Sequence, residues 1–69
     1  MSTTYKPMYD VLMDCPDSQV KRCQLAYKAI AAGEWLEAAH YLENAIREEG
    51  DGGWSDDAGD VLMQCRMNA

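Results

Sequence analysis

Apolar residues recur with a helical period along most of the chain. Trp35, Ala38, Ala39, Leu42, Ala45 and Ile46 fall at i, i+3, i+4, i+7, i+10 and i+11, which sets them on one face of a helix. That spacing predicts a helix over 35–49, closed by the breaker Gly50-Asp51-Gly52-Gly53. Upstream, Pro16-Asp17-Ser18 resets the chain and offers Asp17 or Ser18 as an N-cap. A helix over 17–32 is expected there, stopped by Gly33 at its C′ position. Val20, Cys23, Ala26, Tyr27, Ile30 and Ala31 form its apolar arc, with Lys21, Gln24 and Lys28 on the wet face. Leu25 and Ala29 flank the arc, which predicts cover on more than one side. Downstream, Ser55 is expected to cap a helix over 55–67, with acids in its first turn where the dipole favours them. Ala58, Val61, Leu62 and Cys65 are its stripe, and Gly59 weakens it by about 1 kcal/mol relative to Ala.

The N-terminal stretch is less decided. Residues 1–6 are polar and expected to fray. Pro7 suits the first position of a short helix, and residues 8–14 fit two turns with Met8, Val11 and Leu12 inward. The Tyr9-Val11-Met13 alternation equally permits a short strand. The expected fold is all-α: a single domain over 1–69, with three helices and a short N-terminal element. The minimal Gly33-Glu34 turn makes the first two long helices a central antiparallel hairpin.

One segment repeats. Asp10-Val-Leu-Met-Asp-Cys15 returns as Asp60-Val-Leu-Met-Gln-Cys65, with five of six residues identical. Two readings stand: a pair of equivalent elements facing each other within or between subunits, or two pieces of ordinary core. Six residues are too few to mark a repeat array.

Within the hairpin, Leu25, Ala26, Gly33, Trp35, Ala38, Leu42 and Ala45 occupy the large, small, turn, aromatic and small places of a helix-pair motif. Segment 25–46 thereby resembles a tetratricopeptide-type helix hairpin. The resemblance implies two helices closing over small residues with bulky ones filling beside them. Arg22, Ala29 and Gly50 depart from the pattern. Only about one repeat is present, where such arrays need about three, so a concave peptide-binding groove is not implied.

Size and charge narrow the function. A chain of 69 residues buries only about 60% of its unfolded surface, so its core is marginal and its function is expected on a surface. Marginal burial, two Trp and five Met predict a homodimer, with Leu12, Tyr27, Ile30, Trp35, Leu42, Ile46, Val61 and Leu62 in the core or dimer contact. The net charge is −6, the wrong sign for neutralising phosphates, so direct nucleic-acid binding is not expected. The charge is uneven. In residues 1–33, Lys6, Lys21, Arg22 and Lys28 stand against Asp10, Asp14 and Asp17, a net of +1. Residues 34–69 set Arg47 and Arg66 against nine acids, a net of −7.

Candidate chemistry is sparse. The start, Met1-Ser-Thr-Thr-Tyr-Lys, has no apolar signal stretch, and no run approaches the ~18 apolar residues of a membrane span. Cys15, Cys23 and Cys65 are odd in number and lack paired spacing, which favours reduced thiols in a cytoplasm. A zinc set of the three cysteines with His40 is the rival, but the gap from Cys15 to Cys23 is too long for a knuckle. A calcium loop starting at Asp51 fails, with Gly53 at position 3, Asp56 at position 6 and Leu62 at position 12. No enzyme, cofactor or metal is expected.

The expected binding surface is the outer face of helix 35–49 and the acids beyond it: Glu37, His40, Tyr41, Asn44, Glu48, Asp51, Asp56 and Asp57. Tyrosine is enriched at interfaces, and a concentrated negative field attracts a basic partner. Two functions fit. The first is a non-enzymatic inhibitor or modulator that occludes a basic, DNA-binding face of a regulator or nuclease. In size and charge the chain is similar to small bacteriophage accessory proteins such as anti-activators and anti-CRISPR proteins. The alternative is a helix-hairpin adaptor binding an apolar peptide or helix.

Overall fold

The computed structural model describes residues 8–69, so the expectations for residues 1–6 and Pro7 lie outside the described residues. Four α-helices follow in chain order: α1 (Met8–Met13), α2 (Val20–Ala31), α3 (Trp35–Glu49) and α4 (Gly53–Asn68). A 3-10 turn, Asp17–Gln19, leads into α2. No strand occurs among the described residues. The fold is all-α, and the helical reading of the N-terminal element holds over the strand reading. Each helix packs on its neighbour in the chain, and α1 closes the ring by packing on α4.

The turns follow from their residues. At the end of α2, Gly33 takes φ +76°, a left-handed conformation that costs glycine nothing. The Gly33 N–H donates to the Ile30 carbonyl (3.0 Å) and the Glu34 N–H to that of Ala29 (2.8 Å), the paired bonds of a Schellman end. Gly50 ends α3 differently, at φ +74° and ψ −161°, its N–H making the last helical bond to the Ile46 carbonyl at 2.9 Å.

Ser55 departs from its expected role. α4 begins two residues earlier, at Gly53, so Ser55 lies inside the helix. Its hydroxyl donates back to the Gly50 carbonyl at 2.6 Å and ties the glycine-rich link to α4. Asp17 and Ser18 do not cap α2 either. Pro16 at φ −60° and ψ 150° launches the 3-10 turn, and the Ser18 hydroxyl is drawn instead to Glu49.

The core is rich in small side chains. Ala26, Ala38, Ala45 and Ala58 are fully buried and let the helices approach closely. Val11, Leu12, Ile30, Leu42 and Val61 fill beside them, with Trp35, Ile46 and Leu62 packed half-buried against the cluster. Of the stripe expected on α3, Ala38, Ala39, Leu42 and Ala45 are buried and Trp35 and Ile46 are half-buried. On α2 the buried line is rotated: Gln19, Cys23, Ala26, Ala29 and Ile30 point inward, while Val20, Tyr27 and Ala31, expected inside, are exposed. The reason is length. α1 has six residues against twelve in α2, about 9 Å against 18 Å, and cannot cover that edge.

Both copies of the repeated segment belong to the core. Val11, Leu12, Val61 and Cys65 are buried and Leu62 is half-buried, and the two carrying helices, α1 and α4, pack together. Trp54 adds a polar tie, its Nε1 donating to the Val11 carbonyl at 2.9 Å. The molecule measures 32 × 27 × 17 Å. Packed helix axes lie about 8–10 Å apart, so the thin direction holds two helices and apolar side chains on the outer faces stay uncovered.

Candidate functional site

α3 carries the predicted docking residues on unequal footing. Glu37, His40 and Asn44 are exposed. Tyr41, expected as an exposed anchor, is half-buried and packs on the core, because the α3 stripe is wide enough to take it in. Asp51 is exposed just past α3, Asp56 is exposed in the first turn of α4, and Asp57 beside it is half-buried. Leu36, not included in the expected set, is 68% exposed on the same outer side of α3.

Glu48 is part of a polar clamp. Gln19 is fully buried, and its Nε2 donates to Glu48 Oε1 (2.8 Å) and Glu49 Oε2 (3.1 Å). Gln19 Oε1 accepts from Arg22 Nη1 at 2.8 Å. The same Arg22 nitrogen lies 3.1 Å from Glu48 Oε2, and Ser18 Oγ donates to Glu49 Oε2 at 2.6 Å. The start of α2 is thereby bound to the end of α3. The Gln19 hydrogen bond, then Arg22, holds the Glu48 carboxyl below its ordinary range. Hydrogen bonds from Ser18 and Gln19 do the same for Glu49.

Glu43 pairs with Arg66 at 2.6 Å. Glu34, Glu37, Asp51, Asp56 and Asp60 are exposed, with no cation within ion-pair distance among the described residues.

A second surface lies between α1 and α2. An open groove of about 430 Å³ is lined by Leu12, Met13, Cys15, Val20, Cys23, Gln24, Tyr27 and Lys28. Met13 is 79% exposed at its edge. Tyr9 and Tyr27 pack ring to ring at 4.5 Å with planes tilted by 44°, and both are 42% exposed. Lys28 lines it, and Lys21 lies two turns before Lys28 on α2; both are exposed and without a carboxylate in ion-pair range among the described residues. The groove exists because α2 is rotated from the arc the periodicity suggested.

The thiols are free. Cys23 is buried at the floor of the groove, where burial, then a hydrogen bond with Cys15, pushes its pKa up to about 12. Burial also raises Cys65. His40 is exposed, and among the described residues no three His, Cys, Asp or Glu side chains are placed to hold a metal ion. No helix of the described residues is long and apolar enough to cross a membrane.

Comparison of the chain with protein-family models, curated proteins and solved structures finds no match.

Proposed function

We propose that the protein is a non-enzymatic inhibitor or modulator that binds a target protein through its acidic half. The observation carrying this reading is the set of exposed carboxylates with no ion-pair partner among the described residues, running from the turn before α3 through α3 and the link into α4: Glu34, Glu37, Asp51, Asp56 and Asp60. A field of this sign steers association with a basic surface. The partner that fits is a protein whose basic face serves another polyanion, such as the DNA-binding face of a regulator or nuclease, and the action is occlusion. Leu36, exposed beside Glu37, supplies apolar contact next to the charged groups.

The test is capture from a cell lysate on the immobilised protein, washed at low and high salt. A basic protein retained at low salt, released at high salt and lost with Glu37→Lys/Asp51→Lys supports the reading. Glu48 is left unchanged because its substitution would break the clamp. Capture that ignores both salt and the two substitutions overturns it. It then favours the adaptor reading, in which an apolar peptide or helix binds the α1/α2 groove and binding is lost with Met13→Glu.

A further inference from the structure

We propose that the α1/α2 groove is a self-association surface, covered by the outer face of α4 from a second copy of the chain. The α4 face is read from its exposed residues. Asp56, Asp60, Met63 and Met67 are exposed and spaced four, three and four apart, so they form one stripe along the helix. Met63 and Met67 are 60% and 78% exposed, a pair of flexible apolar side chains suited to filling an irregular groove. The two carboxylates precede them on the same line. Among the described residues no cation is in ion-pair range of this stripe, and the nearby Arg66 is held by Glu43.

The groove offers the complement. Its apolar wall is Met13, Val20 and Tyr27, with Lys28 in its lining; Lys21 lies two turns before Lys28 on α2, and both lysines are exposed and without an ion-pair partner among the described residues. The two lysines are seven residues apart, about 10 Å along the helix. That is a span the two α4 carboxylates, one turn apart, can serve with long flexible ammonium side chains. Apolar meets apolar and ammonium meets carboxylate in one contact. Each copy carries both surfaces, so a two-fold dimer makes the contact twice. The outer face of α3, with Glu37 and Leu36, takes no part; the dimer contact draws Asp56 and Asp60 from the acidic set and leaves Glu34, Glu37 and Asp51 to the target.

The test is sedimentation velocity on purified protein over a micromolar to millimolar range, with circular dichroism as the control for folding. The expected result is a concentration-dependent dimer. Met63→Glu/Met67→Glu, at exposed positions, weakens it about tenfold or more. Two charge variants decide the pairing. Lys21→Glu/Lys28→Glu alone and Asp56→Lys/Asp60→Lys alone each dimerise poorly, because like charges face each other. Their equimolar mixture forms a heterodimer, because one contact is then charge-reversed and the other is unchanged. A monomer at every concentration overturns the proposal. So does a dimer that persists in the methionine variant, or a mixture that shows no heterodimer.

Discussion

Gln19 is fully buried, and its amide is used at both ends. Its nitrogen donates to two carboxylates, and its oxygen accepts from Arg22. A buried amide without such partners would cost roughly 1–3 kcal/mol, so the clamp is what permits a polar residue at that place. Periodicity cannot foresee it, because a glutamine at the head of an apolar line reads as surface. The cysteines show the opposite case, where residue type already indicated the environment. Cys23 and Cys65 are buried, and burial raises both thiols, Cys23 to about 12. Thiolate is the reactive species, so both should resist alkylation in the folded protein while half-buried Cys15 reacts. Iodoacetamide at about pH 8, followed by intact mass, should show one fast adduct and two slow ones, with all three fast in denaturant. Three equally fast adducts without denaturant would contradict the burial assigned to Cys23 and Cys65.

Helix boundaries depend on glycine in two different ways, and substitution separates them. Gly33 sits at φ +76° with open space around its missing Cβ. Gly33→Ala therefore meets no clash but inherits a left-handed backbone, at a cost of roughly 1–2 kcal/mol. Gly59 lies inside α4, also in open space, so Gly59→Ala should stabilise by about 0.5–1 kcal/mol. Urea unfolding of the two variants should move the midpoint in opposite directions, and equal shifts would contradict one of the two assignments. At this scale much was legible from the chain. The α3 stripe and both glycine stops are direct readings of period and turn chemistry. The faces of α2 were not, because Val20, Tyr27 and Ala31 are as apolar as Cys23 and Ala26, and only the short reach of α1 decides which set is covered. The start of α4 is not legible for a related reason. A serine after a glycine run looks like a cap, yet Ser55 Oγ closes the link to Gly50 from inside the helix.

Across the whole molecule the charge division becomes a division of labour. The basic side borders the apolar groove, and the acidic side splits between carboxylates consumed by the clamp and carboxylates left in solvent. Charge asymmetry was legible in the sequence, whereas the clamp was not, since Ser18, Gln19 and Arg22 lie about thirty residues from Glu48 and Glu49. That clamp gives stability a pH dependence of definite sign. Both glutamates have folded-state pKa values below the ordinary 4.5, so the unfolded chain binds protons more readily than the folded one. Their contribution is fully present above about pH 5–6 and is lost as pH falls through the lowered folded values. Both groups are at the surface, so the loss is a graded one and not a collapse. The urea midpoint of the native chain should therefore fall on acidification below the ordinary carboxylate range. Glu48→Gln/Glu49→Gln should begin at a lower midpoint near neutrality and change less over the same interval, because the neutral amides keep no proton to gain. If both proteins fall in parallel, the acid response comes from the exposed carboxylates of α3 and α4, and the clamp contributes nothing to the pH dependence of the fold.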